Sequence, residues 1–282
     1  RTTQYIYANV AGVLGGKFST MYVYHQDGCG ARDANTADGT CQGGASDIHT
    51  IGLRQAGQMF GLDYRGEYYY QWGDAMDAAH SAKNNNVLYT AGEAIDRQAY
   101  MFGVRVGKQF KNVSMKPKLT LWYDYLSGTS DEDARNGDYK SFNTVYDTGH
   151  KFYGLQDAFL AVGNNSCAGG TCGLGLQDAA IKAQVSPVAG WTLKADYHWF
   201  NTAEGVAGSP QRSLTAAGGI TSDSEIGQEL DVTLVNKYNA NTKIMMGYSH
   251  FAQGRALNVL RSGDTLGNDD ANWFYTQIHV GF

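Results

Sequence analysis

Three charged side chains, Asp63, Arg65 and Glu67, stand at alternate positions in the segment FGLDYRGEYYYQWG, residues 60 to 73. On an extended chain alternate residues share a face. These three and Gln71 therefore line one face, and Phe60, Leu62, Tyr64, Tyr68, Tyr70 and Trp72 line the other. Arg54 and Arg105, on neighbouring segments of the same kind, are placed to form cross-strand ion pairs with the ladder. Such a ladder does one of two things: it contacts a charged solute at a constriction, or it stiffens a wide wall. The polar faces of the clearer segments carry seven cations, Arg54, Arg65, Arg97, Arg105, Lys118, Lys182 and Lys194. They also carry seven anions, Asp63, Glu67, Asp124, Asp178, Asp196, Glu229 and Asp231. Rings of inward-facing charge set ion selectivity in a pore, so a conduit for polyanions would be expected to show a cationic excess. This even tally does not.

Other chemistries lack their parts. His25, His49, His198, His250 and His279 sit in strand-like segments. Ser249 is next to His250, but adjacent strand residues point to opposite faces, so no nucleophile and base converge. The chain is not expected to be an enzyme. Neither a glycine-rich nucleotide loop nor a zinc signature appears, and no cofactor or metal is expected. The acidic run DEDARNGD, residues 131 to 138, lacks the glycine and terminal glutamate spacing of a calcium loop and reads as a solvated surface loop. Cys29 with Cys41 and Cys167 with Cys172 form two close pairs inside Gly, Asn and Thr-rich stretches. Closing short loops costs the least chain entropy, so these pairs read as two loop disulfides in an oxidising compartment.

Long alternating strands must position the ladder. Residues 191 to 200 repeat its pattern, with Trp191, Leu193, Ala195, Tyr197 and Trp199 set against Thr192, Lys194, Asp196 and His198. Weaker period-two stretches occur at 2 to 12, 17 to 26, 47 to 57, 94 to 106, 117 to 126, 174 to 185, 225 to 237, 242 to 252 and 272 to 282. The connections are short around 13 to 16, 58 to 59, 107 to 116, 186 to 190 and 238 to 241, and much longer elsewhere. Short turns at one end and long polar loops at the other are the asymmetry of outer-membrane barrels. Aromatic residues at strand ends suit a membrane interface, having an apolar body and a polar tip.

Composition agrees. There are 36 glycines and 19 tyrosines but only three prolines, so little in the chain forbids backbone pairing. A mean hydropathy of −0.39 and the absence of an apolar run near the roughly 20 residues of a spanning helix exclude a helical membrane protein. They do not exclude a barrel, in which only alternate residues face lipid. Net charge of −5 argues against nucleic acid as a partner. The first residues, RTTQYIYANVAG, carry no leader signature.

The terminal NWFYTQIHVGF puts Phe274, Ile278, Val280 and Phe282 on one parity and ends on an aromatic residue. It resembles the C-terminal strand by which outer-membrane proteins are handed to their assembly machinery. Counting back from a periplasmic C-terminus puts both cysteine-bearing loops outside the cell and makes residues 2 to 12 a descending strand. Single-chain bacterial barrels have an even number of strands. An odd count of eleven then implies a missing N-terminal part or a further crossing within 127 to 173.

In that region the run DTGHKFYGLQDAF, residues 147 to 159, resembles a motif of the alginate-export family of outer-membrane barrels, carried by Thr148, Gly149, His150, Lys151, Tyr153, Gly154 and Asp157. Residues 227 to 254 resemble that family's penultimate hairpin, so the likeness covers roughly the second half of the chain. It implies a bacterial, Gram-negative outer-membrane location, and a porin of about 16 to 18 strands of which this chain is the C-terminal part. His150 and Lys151 would bind an anionic solute or anchor an inward-folded loop.

The reading is an all-β protein: a single antiparallel transmembrane β-barrel domain over residues 1–282, N-terminally incomplete, with about 11–12 strands. Residues 127–173 form a long extracellular or inward-folded loop region. The expected function is passive passage of hydrophilic solutes, saccharides or organic anions, with outer-membrane lipid and lipopolysaccharide around the barrel. The rival is a structural barrel that sheathes or scaffolds a partner protein.

Overall fold

Alternation of apolar and polar side chains suits only a sheet with two unlike faces. The computed structural model describes residues 2–27, 46–76, 95–130, 132–133, 136–146, 152–157, 171, 173–205, 224–257 and 270–281. They form twelve strands: β1 (Thr2–Val13), β2 (Gly16–Asp27), β3 (Ser46–Met59), β4 (Leu62–Met76), β5 (Ile95–Gln109), β6 (Lys118–Leu126), β7 (Asp138–Tyr139), β8 (Leu176–Val185), β9 (Trp191–Asn201), β10 (Glu225–Lys237), β11 (Thr242–Gln253) and β12 (Ala271–Val280). Eleven pair antiparallel in chain order as one sheet, and the two-residue β7 pairs parallel to the start of β5. Each of the eleven alternating segments corresponds to one long strand. β7 is no further crossing, and among the described residues β1 and β12 remain unpaired edges, so the sheet is not closed.

The turns explain the register of the first hairpins. Leu14 and Gly15 have φ of 47° and 70°, and Phe60 and Gly61 have 53° and 75°. Two successive left-handed residues make the turn whose twist matches antiparallel strands.

The faces are inverted relative to a soluble sheet. Ile6, Ile51, Leu53, Val104, Leu121, Leu193, Phe274 and Ile278 point outward and are exposed, whereas Glu67, Arg105, Asp124, Asp178, His198 and Glu229 are buried on the other face. Charged residues are almost never buried unless paired. Outward aromatic rings run together from strand to strand: Tyr22, His49, Trp72 and Tyr70 form one group, and Tyr68, Tyr100, Tyr125 and Phe102 another. No described helix is long and apolar enough to cross a membrane.

The sheet also curls. Held flat, β1 and β6 would lie five strand spacings apart, about 24 Å. Thr3 and Tyr5 of β1 and Asp124 of β6 nevertheless line one cavity of about 420 Å³ on the charged face. That face is therefore concave and lines a lumen.

Candidate functional site

Cross-strand register brings the ladder of β4 into a belt of ion pairs across the lumen wall. Glu67 of β4 is level with Gly103 of β5, which is level with Asp124 of β6, and Asp124 is level with Asp178 of β8. The absence of a side chain at Gly103 matters, because a Cβ there would overlap the Asp124 carboxylate and press on Glu67. Through that gap Arg105 Nη2 reaches Glu67 Oε1 at 3.2 Å and Asp124 Oδ2 at 3.1 Å. Arg65 Nη2 bonds the other Glu67 oxygen at 2.5 Å, and the Tyr69 hydroxyl donates to it at 3.2 Å. The Arg105 guanidinium lies 3.3 Å from the centre of the Trp122 ring, a stacked cation–π contact.

On the far side of Trp122 the belt continues through histidine. His198 Nδ1 is 2.9 Å from Asp178 Oδ1, and His198 Nε2 is 2.9 Å from Lys182 Nζ, which also bonds Asp196 at 3.0 Å. A lysine ammonium has no lone pair, so Nε2 accepts from Lys182 and Nδ1 donates to Asp178. One tautomer satisfies both contacts.

The chain after β6 crosses the belt as a strap. Gln71, buried on the lumen face of β4, bonds Asn143 twice, from Nε2 to the Asn143 carbonyl at 2.7 Å and from the Asn143 amide to Oε1 at 2.8 Å. Arg97 Nη1 donates to the Ser141 carbonyl at 2.5 Å and its guanidinium lies over the Tyr139 ring. Between these clamps Phe142 enters an apolar cluster with Ala99, Met101, Leu126, Leu176, Phe200 and Phe251. Thr3 and Tyr146 share a hydrogen bond near β1. On the opposite wall one oxygen of the wholly buried Glu229 accepts the amides of Leu155 at 2.7 Å and Gln156 at 2.9 Å. Gly154, at φ 78°, lets the strap pass over that carboxylate, which a Cβ would overlap. Burial, then the Asp124 and Asp178 carboxylates, push the Tyr153 hydroxyl well above its ordinary pKa, so it stays neutral beside the belt. Arg65, Glu67, Arg105, Phe142, Phe152 and Tyr153 are among the residues enclosing the 420 Å³ cavity left between strap and wall.

With this arrangement in view, comparison with known families is decisive: the family described as alginate export matches residues 13–264. The chain belongs to the alginate-export family. The match reaches well beyond the second half of the chain, where the quoted motif lies. No curated protein matches the chain. The alginate-export family is a transport family, and family and fold together point to an outer-membrane, channel-type protein.

In this alginate-export chain charge is sorted along the lumen. Lys17, Lys118, Lys194, Lys237 and Lys243 occupy lumen-facing register positions near the short turns, where Asp63 is the one carboxylate on that face among the described residues. Asp63 is held by Gln58 at 2.6 Å and Lys118 at 3.4 Å. Deeper in, the carboxylates of Glu67, Asp124, Asp178, Asp196, Glu229 and Asp231 outnumber the cations Arg54, Arg65, Arg105 and Lys182. Ser249 Oγ donates to Asp231 at 2.5 Å.

The candidates read from sequence are thus dispersed over three levels. Arg65, Glu67, Arg105, Asp124, Lys182 and Asp196 share the belt. Asp63, Lys118 and Lys194 belong to the turn-side mouth, while Arg97 holds the strap at the loop end. Arg54 is level with Glu67 across β3 and β4, and its Nε has no partner among the described residues. Tyr153, Gly154 and Asp157 border the cavity, whereas Thr148, Gly149, His150 and Lys151 lie outside the described residues, as do Cys29, Cys41, Cys167 and Cys172. Sequence reasoning did not single out Gln71, Trp122 or His198 as parts of a site. Gln71 and His198 did show lumen parity, but their partners are 72 and 20 residues away.

Proposed function

We propose that the chain forms a passive channel that passes hydrophilic anionic solutes, acidic saccharides or organic acids, across the outer membrane. The observation that supports this reading is the turn-side mouth, where five lumen-parity lysines face one carboxylate. The belt beyond carries more carboxylates than cations, with Arg54, Arg65, Arg105 and Lys182 set among six acidic side chains, so the positive field belongs to the mouth. An anion entering from the turn side meets a positive field first, and low-dielectric walls focus that field. The strap narrows the lumen at the belt, so small or flexible solutes pass and bulky ones do not. The turn side faces the periplasm by the asymmetry of loops and turns, and the outward aromatic groups toward the loop end meet lipid and lipopolysaccharide.

The test is reversal potential in a planar bilayer under a salt gradient, with glucuronate as blocker. Anion selectivity is expected, weakened or inverted in the Lys194→Glu, Lys243→Glu double variant. Cation selectivity in the unmodified protein would refute an anion channel. Absence of conductance from correctly folded protein would favour a barrel that serves as scaffold for a partner.

A further inference from the structure

The turn end of the barrel has an outward-facing surface that the lumen does not use. The β5–β6 connection folds on itself through Phe110 N to Pro117 O at 2.8 Å and Lys116 N to Val113 O at 3.0 Å. Its Met115 carbonyl accepts the amide of Ser186 in the β8–β9 turn at 2.7 Å, and Gly190 in that turn accepts Lys237 N of the β10–β11 turn at 2.7 Å. Three turns are therefore joined into one shelf. Residues 107–118, 186–190 and 237–243 contain neither aspartate nor glutamate, and beside the lumen-facing Lys118, Lys237 and Lys243 they carry three further lysines, Lys108, Lys111 and Lys116, which belong to the shelf.

The shelf also displays apolar side chains: Phe110 is 41% exposed, Met115 52%, Val188 61% and Tyr238 71%. Met115 and Lys116 hold φ of 60° and 46°, successive left-handed conformations that L-residues rarely adopt. Strain of this kind persists where the surroundings enforce it, often at a binding surface. The apolar part is continuous with the lipid-facing band, for Val106, Leu119 and Leu121 stand exposed on the outward faces of β5 and β6. At the other end of the outward face the charges are of opposite sign, with Asp47, Asp74 and Asp96 on adjacent strands.

We propose that this shelf binds the headgroups of anionic phospholipids, phosphatidylglycerol or cardiolipin, in the periplasmic leaflet. Rings and aliphatic side chains enter the acyl boundary, and Lys108, Lys111 and Lys116 take the phosphates. Lys108, with its ammonium 5.4 Å from the Phe110 ring centre, already joins the two chemistries. The proposal rests on the membrane-channel reading given above.

Full-length protein is refolded in detergent and given equal amounts of phosphatidylglycerol and phosphatidylcholine, and bound lipid is read by native mass spectrometry. Conductance is recorded on the same preparations. A basic residue near an anionic surface strengthens binding about fivefold, so Lys108→Gln, Lys111→Gln and Lys116→Gln together should weaken phosphatidylglycerol binding on the order of 100-fold. The corresponding triple arginine variant should retain it, which controls for misfolding. Equal uptake of both lipids by conducting protein, or full retention in the glutamine variant, overturns the shelf and leaves the channel standing. Protein that folds but never enters a bilayer overturns both.

Discussion

Replacing Gly154 with alanine tests whether the strap is held down by Glu229. Two costs arise. A left-handed alanine costs about 1–2 kcal/mol at φ 78°. The new Cβ would also lie 2.5 Å from the Glu229 carboxyl carbon and overlap an oxygen, so the carboxylate must move. Moving it breaks the hydrogen bonds from Leu155 and Gln156, each contributing about 0.5–1.5 kcal/mol. Gly137 supplies the control, for it has φ 80° and nothing near its missing Cβ. Gly137→Ala should lower local stability by about 1–2 kcal/mol through backbone strain alone, whereas Gly154→Ala should lower it by about 2–5 kcal/mol. Each 1.4 kcal/mol is a factor of ten, so amide exchange of residues 152–157 should accelerate about 30-fold or more in Gly154→Ala, and exchange around 137 about tenfold in Gly137→Ala. Single-channel current should rise or flicker only in Gly154→Ala. Equal effects of the two substitutions would refute the contact with Glu229 as the clamp and leave only backbone strain.

The other clamp is open to a similar measurement. Gln71→Met removes both hydrogen bonds to the half-buried Asn143, at about 0.5–1.5 kcal/mol for each bond. Exchange of residues 141–146 should quicken about tenfold, and unchanged protection would show that Phe142 packing alone seats the strap. A pH response is expected at the strap's approach. Burial raises the Asp133 carboxyl, but hydrogen bonds from Lys140 and Ser130 outweigh it and leave its pKa below the usual value. The Lys140 ammonium is raised, chiefly by its bond to Asp133. A lowered acid contributes stability above its unfolded pKa and loses it as pH falls through the folded one; a raised base loses its contribution as pH climbs through its folded value. Protection of residues 127–130 and 136–140 should therefore be flat between about pH 4 and 10 and fall on either side. The effect is at most about 1 kcal/mol because the pair is partly solvent-screened. Asp133→Asn should remove the acid limb, and a limb that persists would place its origin elsewhere.

Much of the architecture was legible in the chain, since alternation with a period of two can satisfy only a sheet with unlike faces. The ladder of Asp63, Arg65 and Glu67 against Tyr64, Tyr68 and Trp72 specifies both faces of β4 without reference to any other strand. Of the lysines near the short turns, Lys118 and Lys194 entered the tally of seven cations against seven anions, which treats the lumen as one ring, while Lys17, Lys237 and Lys243 at other strand ends stood outside it. Their separation from the carboxylates becomes apparent only when register stacks the strands and shows which charges share a level. Still less visible was the strap. Gln71 and Asn143 are 72 residues apart and Gly154 and Glu229 are 75 apart, and each is an ordinary residue in its own segment. Strand faces follow from local stereochemistry, which is written into neighbouring residues. Clamps, belts and cavities depend on which distant side chains are brought within hydrogen-bond reach, and that is decided when the sheet curls and the chain after β6 turns inward.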